Sequence, residues 1–219
     1  GVPSGLQVVF EAGVFIAATW LSGVLGQIYQ AANQIALSIA TLTFMIANGM
    51  SVVAMIRVGN YKGMEDYISL RRVAISIFLF ILLTQVVLGG LIGLLRYQLP
   101  EFFLNTEKLD TVDNIALVIE ESAHLLLIAA LFQIVDGLQT VALGALRGLQ
   151  DAKIPMILSF ISYWVIAFPI CYYLGLHSSL KTTGIWIGLL VGLAFSALLQ
   201  TTRFLILSSR LIRNNQTKN

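Results

Sequence analysis

Charge is what this sequence has least of. Of 219 residues only 11% are Asp, Glu, Lys or Arg, while 58% are hydrophobic and the mean hydropathy is +0.87. A soluble domain charges about a quarter of its residues, so a soluble enzyme core is excluded. Intrinsic disorder needs the opposite balance and is excluded too. Cysteine is nearly absent: the single Cys171 has no second thiol in the chain to pair with, which removes a disulfide-rich secreted fold. The 18 glycines follow no fixed period, which removes a collagen-like one. Catalytic signatures are missing as well. No HExxH, GxSxG or GxxxxGK[ST] occurs, and His124 and His177 lie on different segments far from Cys171. The chain therefore reads as neither an enzyme nor an ATP-driven machine, and no cofactor is expected. Net charge is only +2 and the basic residues form no single patch, so nucleic acid is not an expected partner.

What the chain has in excess is long apolar runs. Six can be delimited, at 6–25, 31–56, 73–95, 123–146, 154–176 and 184–202. At the helical rise they extend roughly 28 to 39 Å, enough for a hydrocarbon core of about 30 Å with tilt in the longer ones. Transmembrane strands would need alternating segments of about 10 residues. The expected class is thus all-α, a polytopic membrane protein whose six transmembrane helices form one unit over 1–219 in contact with lipid, with 209–219 as a cytoplasmic tail.

Basic residues set the orientation, because Lys and Arg are retained on the cytoplasmic side. With the N-terminus inside, Arg57, Lys62, Arg71, Arg72, Arg147, Lys153, Arg203, Arg210, Arg213 and Lys218 are cytoplasmic, against Arg96, Lys108 and Lys181 outside. Both ends are expected in the cytoplasm of an inner (plasma) membrane. The third and fourth runs are joined by an acidic stretch, 100–122, holding Glu101, Glu107, Asp110, Asp113, Glu120 and Glu121, which reads as a solvated loop entering an extended helix. Gly184, Gly188, Gly192 and Ser196 recur every four residues and predict a close helix contact, and Gly89 with Gly93 repeats the spacing. Pro169 predicts a kink over 165–169. The chain begins at Gly1 rather than Met, with no signal-peptide pattern before the first run, and is expected either to have been processed or to be part of something longer.

Of the 24 charged residues, 22 fall at the membrane surfaces and two, Glu11 and Asp136, fall well inside apolar runs. A carboxylate there costs about 2.5 to 3.5 kcal/mol on insertion scales, so an intramembrane acid implies a partner or a task. Asp136 lies near mid-span and Glu11 nearer the cytoplasmic end. The plain alternatives are an interfacial acid pairing with Gln7 for Glu11, and a helix-to-helix hydrogen bond for Asp136. Polar neighbours favour a cavity. Gln133, Asp136 and Thr140 are spaced three and four apart on the fourth helix, with Gln139 adjacent; Gln34, Ser38, Thr41, Met45 and Asn48 follow the same spacing on the second; Gln7 and Glu11 are one turn apart on the first. Three inward stripes with two acids predict a cation or proton site at Asp136 and Glu11. The substrate pathway is expected along Gln7, Gln34, Ser38, Thr41, Gln133 and Thr140.

Several segments resemble one family. Gly1-Val2-Pro3-Ser4-Gly5, followed by Glu11 before Phe15, resembles the start of the seventh helix of the multidrug and toxic compound extrusion (MATE) transporters. Arg57-Val58-Gly59 with Gly63 is similar to the end of the eighth, and Gly144-Ala145-Leu146-Arg147-Gly148, then Asp151 and Pro155, to the cytoplasmic junction after the tenth. The order and spacing cover nearly the whole chain. The resemblance implies one six-helix lobe of a twelve-helix transporter, facing an N-terminal lobe across a cleft. It implies export of cationic or amphipathic small molecules in exchange for Na⁺ or H⁺ by alternating access, with Glu11 and Asp136 matching acids implicated in cation binding. Two other readings stand beside it. A lipid-linked oligosaccharide flippase of the same superfamily would need a more basic cavity, and a non-transporting scaffold subunit leaves the two buried acids unexplained.

Overall fold

Each apolar run falls on a helix of the structure, the third passing its helix end by one residue at Leu95; the structure is a computed structural model that describes residues 2–103 and 112–217, with side chains from 115 onward in the fourth helix. The six are α1 (Val2–Leu25), α2 (Gln27–Gly63), α3 (Tyr67–Leu94), α4 (Val112–Gly148), α5 (Lys153–Leu176) and α6 (Lys181–Gln216). Among the described residues the other regular element is a 3₁₀ turn, Pro100–Phe102, and no strand occurs. Glu107, Lys108 and Asp110 of the acidic stretch lie outside the described residues, as do Gly1 and Lys218 and the side chain of Asp113.

Hydropathy marks the stretch of each helix apolar enough for a hydrocarbon core, and most of the helices outrun it until something stops them. Gly26 alone separates α1 from α2; its φ of 124° is a conformation L-residues rarely adopt, so glycine makes the one-residue reversal feasible. Asp66 caps α3, its carboxylate accepting from the Ser69 N–H at 3.0 Å. That bond holds the Asp66 pKa below its ordinary value. Most of the 209–219 tail is helical: α6 continues to Gln216 because Phe204, Leu207 and Leu211 keep packing against the α3 and α4 core, and Arg71 Nη1 donates to Ser209 Oγ at 3.0 Å.

α4 and α6 stand at the centre. In their most apolar segments 44% and 56% of residues are buried, against 22% in α1. The glycine stripe of α6 seats on α5 as expected. A Cβ at Gly188 would lie 2.6 Å from the Cys171 backbone N, and one at Gly192 would lie 2.7 Å from the Ser162 carbonyl. Only the first member of the α3 pair is used this way: Gly89 faces the Ala130 carbonyl, whereas Gly93 faces open space. Where the kink was expected ahead of Pro169, the helix changes its winding. α5 is α-helical over Lys153–Phe160, winds as a π-helix over Ile161–Ala167 and resumes as α over Phe168–Leu176, with Pro169 in the first turn of the resumed helix. Proline has no N–H to return to Val165, and the widened turn absorbs the mismatch.

The core divides in two. One cluster gathers Leu21, Ile35, Leu126, Phe132, Tyr163 and Trp186; the other gathers Ala54, Leu70, Ile77, Val141, Leu146 and Phe204. Between them every helix contributes polar groups: Gln7 and Glu11 from α1, Thr43 from α2, Gln85 from α3, Gln133, Asp136, Gln139 and Thr140 from α4, Ser159 and Ser162 from α5, Ser196 and Gln200 from α6. Burying so many polar groups is tolerable only when they bond to one another. Gln7 Nε2 and Gln200 Nε2 both donate to Ser159 Oγ, at 3.3 and 3.1 Å, and Gln85 Nε2 donates to the Thr43 carbonyl at 3.4 Å. At the expected cytoplasmic end Lys62 Nζ donates to the Leu149 carbonyl at 2.8 Å, and Arg203 pairs with Asp151.

Candidate functional site: two acids in one apolar cavity

At the level of this polar belt a cavity of about 520 Å³ opens between α1, α2 and α4. Glu11 and Asp136 both line it, from different helices, so the two intramembrane acids converge. Its walls are otherwise largely apolar, with Phe15, Phe44, Phe132 and Leu143 beside the polar Gln34, Thr41, Asn48 and Thr140. Asp136 is only 6% exposed. A carboxylate in such surroundings interacts strongly with any cation that enters, because little water competes. Hard cations take oxygen ligands, and the side-chain oxygens on this lining include the two carboxylates, the Thr140 hydroxyl and the Asn48 amide.

The α4 stripe explains the convergence. Phe132, Asp136, Thr140, Leu143 and Arg147 follow at three and four residues and line the cavity together. Gln133, expected on the same face as Asp136, is turned away. Helical geometry puts it roughly 60° round from Asp136, toward Gly137 and α3, where it donates to the Gln85 carbonyl at 3.4 Å in the room left by Gly89. Gln7 and Ser38 also stand outside the lining. Gln7 is buried between α5 and α4, bonded to Ser159 and accepting from Arg147 Nη2 at 3.4 Å, and the Ser38 hydroxyl returns to the Gln34 carbonyl at 2.8 Å. Of the expected pathway residues the structure brings Gln34, Thr41 and Thr140 to the acids.

Two side chains at the site were not expected there from the sequence. Tyr163, 1% exposed in the π segment of α5, places its hydroxyl 3.3 Å from Glu11 Oε1 and within hydrogen-bonding distance of Gln139. Arg147 lines the cavity with the acids, its Nε buried without a partner among the described residues. A tyrosine in an apolar helix and an arginine at a helix end are both ordinary in membrane proteins. Only the π-helical winding of α5 and the polar belt give these two their positions.

The MatE family model matches residues 3–173. A probable multidrug resistance protein NorM from Rhodopseudomonas palustris is 42% identical over 93% of this chain and 42% of its own length. One from Agrobacterium fabrum is 36% identical over 96% of the chain and 44% of its own length, and the multidrug resistance protein NorM of Burkholderia vietnamiensis is 39% identical over 97% and 45%. The chain thus spans less than half the length of the curated relatives it matches. Among solved structures, an outward-facing MATE family transporter of the MOP superfamily superposes with a TM-score of 0.85 at 16% identity, over 97% of this chain and 46% of the other. A eukaryotic MATE transporter superposes at 0.81 with 19% identity, over 100% and 47%. These two likenesses concern the fold alone. With the family model spanning most of its length and the six-helix architecture shared, the chain belongs to the MatE family.

Proposed function

We propose that this chain is one six-helix lobe, the C-terminal one, of a secondary exporter that moves cationic or amphipathic compounds out of the cell in exchange for Na⁺ or H⁺. The observation that carries the reading is the convergence of Glu11 and Asp136 on a single cavity with apolar walls. An aromatic and aliphatic lining accepts the body of an amphipathic molecule without demanding one shape, and the acids accept its positive charge. The same acids accept a coupling cation, so drug and cation compete, and each expels the other when the cavity is presented alternately to the two sides. Gln34, Thr41 and Thr140 line the pathway. A second, N-terminal lobe completes the cavity on the open side of α1 and α2, and the whole lies in the cytoplasmic membrane with the ends of this lobe inside. The relatives named multidrug resistance proteins support this reading. A pyrophosphate-carrying lipid is a poorer fit, since the cavity sets two carboxylates against the one cation of Arg147.

The test is ethidium efflux from proteoliposomes holding the full-length transporter, driven in turn by a Na⁺ and by a pH gradient. Asp136→Asn is expected to reduce cation-driven efflux by at least about tenfold. Undiminished coupled efflux in that variant overturns the assignment.

A further inference from the structure

Glu11 is approached from two sides. One faces the cavity, through which a cation arrives; the other faces the buried hydroxyl of Tyr163 at 3.3 Å. That hydroxyl carries one proton and can accept as well. Both ends of the Gln139 amide lie beside it, Nε2 at 2.7 Å and Oε1 at 2.8 Å. Two arrangements follow from this donor count. In one, Tyr163 donates to Glu11 and accepts from Gln139 Nε2. In the other it donates to Gln139 Oε1 and releases the carboxylate. The first is favoured when the carboxylate is free and charged, since hydrogen bonds to charged groups are the stronger ones. The second leaves no buried donor unpaired when something else holds Glu11.

We propose that Tyr163 is a positioning residue that competes with the coupling cation for Glu11, and that Gln139 is the alternative acceptor that lets it yield. The hydroxyl stabilises the empty site and is displaced to Gln139 when the cation binds. Because Tyr163 belongs to the π segment of α5 and Gln139 to the central helix α4, the exchange ties the occupancy of Glu11 to two further helices. The inference rests on the exporter reading above, in which Glu11 holds the coupling cation.

The two residues have opposite expected effects. Tyr163→Phe removes the competitor, so the half-saturating concentration of the driving cation falls, by about ten- to a hundredfold for one hydrogen bond to a charged group. Turnover falls with it, because the cation leaves more slowly. Gln139→Leu removes the alternative acceptor, so the hydroxyl stays on Glu11 and the half-saturating concentration rises by a similar factor. A merely structural role would move both variants the same way. The measurement is ethidium efflux against a concentration series of Na⁺ or H⁺, whichever drives the unsubstituted full-length transporter, with thermal unfolding confirming that both variants are folded. Opposite shifts of the stated sign support the proposal. Shifts in one direction, or none, overturn it while leaving the exporter reading intact; a full-length transporter that neither gradient drives overturns both.

Discussion

A carboxylate inside an apolar run is rare enough to be conspicuous, and Glu11 and Asp136 were legible for that reason. Their neighbours were legible only in part. Helical spacing groups Gln133 with Asp136, but the neighbouring helix decides which residues at the edge of a stripe face a cavity, and the room beside Gly89 takes Gln133 toward α3. Tyr163 could not be assigned from spacing at all, since the π segment shifts its register against the α-helical period. Outside the membrane, Asp66 supports a prediction about pH. Its pKa in the folded protein lies below the ordinary value of 3.8, chiefly through the Ser69 bond. A depressed carboxylate contributes stability above its unfolded pKa and loses it as pH falls through the folded one. Asp66→Ala should therefore lower the melting temperature at pH 7, and the gap between the two proteins should close as the pH is taken below 3.8. Melting curves in detergent at pH 7 and pH 3 check this.

At the scale of helices, hydropathy located all six spans, because a 20-residue apolar run leaves few alternatives. It could not place their ends, which are set by local devices: the reversal at Gly26, the Asp66 cap, and the packing that carries α6 on to Gln216. The glycine stripes were legible as spacing, yet spacing does not tell a contact from an open face. Gly188 and Gly93 separate the two cases. Gly188→Val would drive a side chain into the Cys171 backbone, where the first carbon already falls 2.6 Å from the nitrogen. A loss of at least about 1 to 3 kcal/mol is expected for such overpacking, read as a shift of the unfolding midpoint in mixed micelles. Gly93→Val, facing open space, should stay within about 0.5 kcal/mol of the parent.

For the whole molecule, the distribution of Lys and Arg predicts which turns face the cytoplasm. Cys171 is buried, so cysteines introduced elsewhere report without interference from it. Glu65→Cys and Gln150→Cys should react with a membrane-impermeant maleimide in inverted vesicles and not in intact cells, and Ser179→Cys should do the reverse. The same pattern for all three reagent sites would refute the orientation. The family and its six-helix unit followed from short segments in the right order, whereas the cavity required the fold, because α1, α2 and α4 reach it from distant parts of the chain.

The ties at the expected cytoplasmic end have a mechanical consequence. Lys62 is bonded to the turn after α4, Arg203 to Asp151 in that same turn, Arg71 to the extension of α6, and Gln7 to both α4 and α5. With every helix laced to another there, this end behaves as a paving slab rather than as a hand that can spread its fingers. On the exporter reading proposed above, a passage on that side is expected to open along the edge of the slab, by tilting of the whole piece against the second lobe.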